Sequence, residues 1–174
     1  MLPDVLADKL TVVFCGTAVG KKSAQVSAYY AGPGNKFWRM LLQIRLTPRQ
    51  LRPDEYPDLP LFGVGLTDLV KTRSGSDVDL AKSDFGVPVF EEKIRRFAPK
   101  ILCFNGKKAA KEFLARNDVE YGLLPEVLDQ TQLFVAPSTS GAANGYWDAG
   151  HWHSLGDLCR ANHRPQLAGD ARDG

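Results

Sequence analysis

The sequence is poor in cysteine and lacks any long apolar run. Its three cysteines, Cys15, Cys103 and Cys159, are widely spaced, and the first two lie inside apolar runs, where small buried thiols are common. Three scattered thiols are too few for the four ligands of an iron–sulfur cluster and make no disulfide framework, so we expect a reducing, cytoplasmic setting. No apolar stretch approaches the length of a membrane span, and the N-terminal MLPDVLADKL lacks the basic and apolar regions of an export signal.

The chain also has few histidines and little net charge. The three histidines, His151, His153 and His163, all lie late in the chain, and no set of cysteines or carboxylates with ligand spacing accompanies them. We therefore predict no metal site, no catalytic triad and no cofactor. The formal net charge of +2 is too small to identify a nucleic-acid partner by itself, so local clusters of basic residues have to decide that question.

The chain does contain enough apolar material for one ordinary core. Of its 174 residues 44% are hydrophobic, so we predict a single domain over residues 1–174, with a frayed tail from about 164 to 174. Strand-like apolar runs alternate with helical patterns, which predicts a mainly parallel α/β sheet with ligands at the carboxyl ends of its strands. The predicted strands cover residues 10–15, 61–70, 100–104 and 133–136, and the predicted helices cover 35–44, 87–97, 107–116 and 154–162.

Each predicted strand ends in a segment of small residues. These segments read GTAVG, GLTD, FNGK and APSTSG, and in an open parallel sheet all four would meet at one edge. Glycine, serine and asparagine are also simply common in loops. Because lysine pairs at 21–22 and 107–108 lie close to two of these segments, we interpret the segments as parts of a binding site and not as ordinary loops.

Several segments of the chain resemble a known family. They are VVFCG…G at 12–20, YYAGPGNKFW at 29–38, GVGLTDLV at 63–70 and FNGK at 104–107, followed by PSTSG at 137–141. Over roughly residues 10–146 the chain resembles the thymine-DNA and mismatch-specific uracil-DNA glycosylases, within the uracil-DNA glycosylase superfamily. The resemblance implies a three-layer α/β/α fold with a central four-stranded, mainly parallel sheet. It also implies hydrolysis of the bond that joins a damaged base to deoxyribose in DNA.

The resemblance assigns roles around a pocket for a base that has been extruded from the duplex. Tyr30 stands where the family stacks an aromatic ring on the base, although an ordinary core or rim aromatic is the alternative. Backbone amides of Gly16, Thr17 and Tyr30 could bind the carbonyl oxygens of the base. Such fixed dipoles would also stabilise the negative charge that develops on the departing base.

The first loop departs from the family pattern G-x-N-P-G. Ala18 replaces the asparagine that positions the attacking water, and Val19 replaces the proline. Asp68 in GLTDLV, where relatives can place a polar residue that faces the base, is our candidate for catalysis and for base binding. Burial could raise the pKa of this carboxyl and so reduce its repulsion of the departing base. The alternative is that Asp68 only caps a helix that begins after Thr67.

A second group of residues is expected to bind DNA. The lysines could neutralise phosphates, and Ser138 and Ser140 are neutral donors of the kind that bind phosphates. The small residues at 142–144 would fill a vacated base stack poorly, so we expect weak discrimination by the opposite base and acceptance of both single- and double-stranded DNA. A flexible loop without contacts is the alternative. The complete predicted set is Lys21, Lys22, Ser23, Asn35, Lys107, Ser138, Ser140, Gly141, Ala142, Ala143 and Asn144, in which Asn35 could also cap the following helix.

Three functions remain open from the sequence. The leading one is a monomeric DNA-repair glycosylase that hydrolyses the N-glycosidic bond of uracil and leaves an abasic site. The second is a glycosylase for another deaminated base such as hypoxanthine or xanthine, because a few contacts decide which base a pocket accepts. The third is a non-catalytic binder of damaged or abasic DNA, which the alanine at position 18 makes credible.

Overall fold

The computed structural model describes residues 2–71 and 86–162. Five strands form one sheet in the order β2-β1-β3-β5-β4, with β4 antiparallel to β5 and the other neighbours parallel. The strands are β1 Val12–Gly16, β2 Val64–Asp68, β3 Ile101–Asn105, β4 Gly122–Leu128 and β5 Thr131–Ala136. Within the described residues, the α-helices are α1 Lys21–Val26, α2 Phe37–Gln43, α3 Val87–Phe97, α4 Lys107–Leu114 and α5 Ala149–Asn162, and two 3₁₀ helices span Pro53–Phe62 and Gly141–Tyr146.

Helices cover both faces of the sheet, which confirms the predicted α/β/α layers. Alternate residues of β1 enter two separate cores: Val12 and Phe14 face one, and Val13 and Cys15 face the other. Buried residues of α2 and α5 complete the first core, whereas α3 and α4 complete the second. Because the central strands are buried on both faces, they read in the sequence as short continuous apolar runs.

The prediction of four strands is wrong by one. The missed strand β4 lies at the edge of the sheet, where its exposed and buried residues alternate and its register shifts between Leu123 and Val127. Pro125 lies within β4, and proline is tolerated in an edge strand because one side of such a strand forms no ladder. The strand therefore lacked the apolar run by which its neighbours were recognised.

Helix boundaries also differ from the prediction. The last helix begins at Ala149 and not at residue 154, and the short helix α1 was not predicted. The predicted strand at 61–70 is shorter, because Leu61 and Phe62 end the first 3₁₀ helix and β2 covers Val64–Asp68. The predicted frayed tail lies outside the described residues.

The N-terminal segment covers the outer edge of β2. Val5 and Leu66 form an antiparallel bridge, in which the distances from backbone nitrogen to carbonyl oxygen are 2.8 and 2.9 Å. The approach is so close that a Cβ on Gly65 would lie 2.6 Å from the carbonyl oxygen of Val5. Pairing an edge strand in this way satisfies backbone groups that would otherwise be left open. It also brings Asp4 beside the end of β2.

Candidate functional site

The ends of the parallel strands meet at one edge of the sheet, as the sequence predicted. In the strand registers Gly16 is opposite Asp68, and Asn105 is opposite Ala136. The loops after β1 and β2 are also joined, because the amide of Leu69 donates to the carbonyl of Gly16 at 3.0 Å. The segments GTAVG, GLTD, FNGK and APSTSG therefore form one continuous rim.

Asp68 is a buried carboxyl at this rim. It ends β2, is 3% exposed, and its Oδ2 accepts from Nζ of Lys71 at 3.0 Å. Its Oδ1 faces Gly16, since a Cβ built on that glycine would lie 3.0 Å away. Burial raises the pKa of Asp68, and the attraction of Lys71 opposes that rise only in part. No helix begins between Asp68 and Lys71, so the helix-cap alternative has no support in this part of the chain.

Tyr30 places its hydroxyl at the same point. Its ring stacks on Phe37 with centroids 4.0 Å apart and an interplanar angle of 25°. The hydroxyl oxygen is buried, lies beside Gly16, and makes no well-directed hydrogen bond with any described residue. Burial raises the pKa of the phenol, although nearby Asn105 lowers it in part. Tyr30 also has a φ of 52°, a left-handed conformation that costs a non-glycine residue free energy and is concentrated at functional sites.

The two residues that break the family pattern pack as apolar side chains. Ala18 packs against the core of α3 and α4, and Val19 is buried in the core of α2 and α5. Thr17 is 9% exposed, and its carbonyl accepts from the amide of Val70 at 2.7 Å. Residues 17–19 thus fix the first loop to the sheet, and Ala18 has no polar side-chain atom to hold a water.

The loop after β5 is tied to the rim by Asn105. Its side-chain oxygen accepts from the amide of Thr139 at 3.1 Å, and its nitrogen donates to Oγ1 of Thr139 at 3.0 Å. The carbonyl of Thr139 accepts in turn from the amide of Lys36 at 2.9 Å. Lys36 also donates from Nζ to Oδ1 of Asn144. The YYAGPGNKFW and PSTSG segments therefore lie against each other as one surface.

A family model decides the relationship of this chain to known proteins. The model of the uracil DNA glycosylase superfamily matches residues 3–154. The chain belongs to the uracil DNA glycosylase superfamily. The solution NMR structure of a candidate uracil DNA glycosylase from Methanosarcina acetivorans is similar to it, with a TM-score of 0.64, 23% identity, and coverage of 94% of this chain and 97% of that chain. At this identity the structural match shows the shared fold.

Within this superfamily fold, the predicted DNA-contacting residues divide into exposed groups and groups with structural contacts. Lys21 and Lys22 are exposed at the start of α1. Lys107 lies over the ring of Tyr121, 4.4 Å from its centroid. Ser23 is buried, and its Oγ accepts from the amide of Ala31 at 2.9 Å. The lysine pair of α1 is therefore exposed, whereas Ser23 helps to hold the loop that follows α1.

The predicted insertion loop is held by its own serines. Oγ of Ser138 accepts from the amide of Ser140 at 3.2 Å, and Oγ of Ser140 accepts from the amide of Ala142 at 3.3 Å. Asn35 is not the predicted N-cap, since Lys36 holds that position, but its Oδ1 accepts from the amide of Phe37, the first residue of α2, at 3.0 Å. Along the second 3₁₀ helix the residues are half-buried or exposed: Gly141, Ala142, Ala143 and Asn144.

Sequence reasoning missed the charged residues behind Asp68. Asp4, Lys71 and Lys93 form a chain of ion pairs that ends at Asp68. A lysine three residues after Asp68 was a visible signal for Lys71, whereas nothing in the sequence links Asp4 to residues 63 or more positions away. Among residues 2–71 and 86–162, no three histidine, cysteine or acidic side chains lie close enough to hold a metal ion. No helix in those ranges has the length and apolarity to cross a membrane.

Proposed function

We propose that this protein is a monomeric DNA glycosylase that hydrolyses the N-glycosidic bond of uracil in DNA and leaves an abasic site. One observation carries the proposal: in a chain of the uracil DNA glycosylase superfamily, a buried carboxyl, Asp68, directs one oxygen at Gly16, and the Tyr30 hydroxyl lies beside the same glycine. The reaction needs water and no redox or metal chemistry, so the enzyme would use no cofactor.

Asp68 would bind the base and assist hydrolysis. As an anion its Oδ1 could accept the N3–H of uracil or hold the attacking water. When the glycosidic bond breaks, the bonding electrons leave with the base, water adds to C1′, and one proton must be taken up from that water. A carboxyl whose pKa is raised by burial is suited to this exchange, because it can hold a proton when negative charge develops beside it.

The surrounding groups would hold the flipped base. Tyr30, with Phe37 stacked on one face of its ring, is rigid enough to serve as the aromatic wall. Backbone amides at Gly16, Thr17 and Tyr30 would bind the carbonyl oxygens of the base and stabilise its departing anion. Resemblance to the thymine-DNA and mismatch-specific glycosylases supports these roles, and the apolar packing of Ala18 marks where this chain would differ from them.

DNA would lie across the rim formed by the two linked loops. Exposed Lys21 and Lys22 could each neutralise a phosphate. Beside Tyr30 and Asn35, a cavity of about 360 Å³ is also lined by Arg39, which adds a positive charge there, and by Arg52, whose charge is paired with Asp54 and Glu55. The small residues at 142–144 would support a weak preference for the opposite base, and hence activity on single- and double-stranded substrates.

A direct test is base release from oligonucleotides that contain one uracil, followed by alkali to cut the abasic site. We expect strand cleavage by the wild-type protein in the presence of chelator. Asp68→Ala should reduce the single-turnover rate by about 10²–10⁴-fold, because a positioned acid–base group contributes that much. Asp68→Asn should keep activity if Asp68 mainly binds the base, and should lose it if the charge or proton is required.

The apolar setting of Ala18 also supports the second candidate, a non-catalytic binder of damaged or abasic DNA. If base is not released from single-stranded, paired or mismatched uracil, while abasic DNA is bound tightly, the binder replaces the enzyme. Hypoxanthine and xanthine oligonucleotides in the same assay test whether another deaminated base is the substrate.

A further inference from the structure

The ammonium group of Lys71 is surrounded by oxygen atoms. Its Nζ lies 3.0 Å from Oδ2 of Asp68, 2.8 Å from Oδ1 of Asp4, 2.8 Å from the Tyr29 hydroxyl and 3.2 Å from the carbonyl of Leu2. The Tyr29 hydroxyl donates its own proton to the carbonyl of Pro3 at 3.1 Å, so it accepts from the lysine. All the protons of the ammonium therefore have acceptors, and its direction is fixed.

Asp4 is held just as firmly on the far side. Its Oδ2 lies 2.6 Å from Nζ of Lys93 on α3, and its Oδ1 accepts from Oγ1 of Thr67 at 2.8 Å. The bridge between Val5 and Leu66 fixes the backbone next to it. Lys93, Asp4, Lys71 and Asp68 thus form a line of alternating charges, which we term the charged cluster.

The charged cluster leaves Asp68 with two unlike oxygens. Oδ2 is bound to Lys71 on the inner side, and Oδ1 faces Gly16 at the rim. With both carboxylates ionised, the four charges of the cluster sum to zero. If Asp68 takes up a proton, the cluster carries a net charge of +1 beside the rim, which would favour an anion leaving there.

We propose that Lys71, held in place by Asp4, is a positioning residue that fixes one oxygen of Asp68 and presents the other to the base. The proposal rests on the glycosylase function proposed above. Lys71 is not the nucleophile in this scheme. Although burial alone would lower its pKa, Asp68 and Asp4 raise it, so the ammonium stays protonated.

The two partners act on Asp68 in opposite directions. Lys71 lowers the pKa of Asp68 against the larger effect of burial, whereas the negative charge of Asp4 raises it. Among the described residues, Tyr29, Tyr30 and Cys15 also interact with Asp68, and burial raises the pKa of each, so they are neutral at neutral pH. If the charged cluster served only to stabilise the fold, the opposite effects of Lys71 and Asp4 on the pKa of Asp68 would leave the rate of base release and its pH dependence unchanged.

The test compares Lys71→Met with Asp4→Asn in the full-length protein. The Asp68 carboxyl is titrated by ¹³C NMR with labelled aspartate, and its signal is assigned by its loss in Asp68→Asn. We expect Lys71→Met to raise the pKa of Asp68 by about one to three units and Asp4→Asn to lower it. The pH profile of single-turnover base release should shift in the same two directions, with a rate loss of at least about tenfold for Lys71→Met and little change in DNA affinity.

Lys93→Met is the matched control, because it removes an equal charge from the charged cluster without touching Asp68. It should shift the Asp68 titration less than Lys71→Met does.

If Lys71→Met does not fold, Lys71→Arg keeps the charge but changes the geometry, and it should lower the rate while leaving the Asp68 titration near that of the wild type. Equal or absent shifts in folded Lys71→Met and Asp4→Asn would overturn the proposal. If the wild-type protein releases no base, the proposed function fails, and the NMR titration still decides whether Lys71 controls Asp68.

Discussion

Gly16 and Asp68 are opposite each other at the ends of β1 and β2, so close that a methyl group on Gly16 would lie 3.0 Å from Oδ1 of Asp68. The same methyl group would lie 3.8 Å from the Tyr30 hydroxyl. A side chain at position 16 would therefore occupy the point at which the carboxyl and the phenol converge. Position 16 requires glycine because the oxygen of Asp68 lies so close to it, and not because its backbone is left-handed.

Gly16→Ala should therefore reduce base release by at least about tenfold while the protein remains folded. The new methyl group would move Asp68 and occupy space that the base needs, and small misplacements of a reacting group are costly. Gly20→Ala is the matched control, because a Cβ at Gly20 meets nothing within 4 Å. Circular dichroism establishes folding and single-turnover assays give the rates. Equal rates for Gly16→Ala and wild type would place the base elsewhere.

Tyr30→Phe and Tyr30→Ala should have very different effects. Phenylalanine keeps the stack on Phe37 and removes a buried hydroxyl that has no well-directed partner, so stability should be unchanged or rise by up to about 1 kcal/mol. Alanine removes the ring, which should lower the free energy of unfolding by about 3 kcal/mol. Loss of the stack on the base should separately weaken substrate binding by about 1–3 kcal/mol. Urea unfolding and substrate affinity measure the two effects.

Tyr56→Ala serves as the comparison for that pair. Its ring packs against Tyr29 with centroids 5.3 Å apart and is not part of the proposed aromatic wall, so the substitution should lower stability without lowering substrate affinity. A loss of affinity equal to that of Tyr30→Ala would mean that Tyr30 acts only through packing.

The sequence predicts the rim of this site better than the interior behind it. Strands β1, β2, β3 and β5 are apolar runs, and their parallel arrangement brings the four small-residue loops together without further information. Asp68 could be singled out because it lies in GLTDLV, where the resembled family can place a polar residue that faces the base. The edge strand β4 has no such run, since only part of it is buried.

There is a physical reason why the charged cluster could not be predicted from the sequence. Asp4 reaches Thr67 across 63 positions of the chain because one antiparallel bridge places the N-terminal segment on β2. A single bridge leaves no periodic pattern in a sequence. The stack of Tyr30 on Phe37 was missed similarly, because it depends on the left-handed turn at Tyr30, which tyrosine does not favour.

Binding to DNA should depend on salt through Lys21 and Lys22. Because both side chains are exposed at the rim, the double variant Lys21→Ser/Lys22→Ser should reduce the slope of log affinity against log salt by up to about 2. The matched double variant Arg95→Ser/Arg96→Ser removes the same charge at the end of α3, just before β3 begins and thus at the opposite edge of the sheet. Fluorescence anisotropy at several salt concentrations compares them. An equal change of slope in both variants would show a general effect of net charge.

Asp68→Asn should stabilise the protein relative to the wild type, and by more at neutral pH than in acid. Because the pKa of Asp68 in the folded state is raised above its ordinary 3.8, the folded protein binds this proton more tightly than the unfolded chain. That contribution to the free energy of unfolding is fully present below pH 3.8 and is lost as pH rises through the folded-state pKa. Asparagine has no such loss, so the difference between variant and wild type should grow over this window by about 1.4 kcal/mol for each unit of raised pKa.

Urea unfolding of both proteins from pH 3.5 to 8 measures that difference directly. The neighbouring Asp4 acts in the opposite sense, since its pKa is lowered, but it is present in both proteins and does not enter the comparison unless its own pKa changes. Asp157→Asn, on the exposed side of α5, corrects for the loss of one negative charge. A difference that stays constant with pH would mean that Lys71 fully offsets the burial of Asp68. The carboxyl would then be an ordinary anion at the rim, and the proton exchange assigned to it during base departure would have no basis.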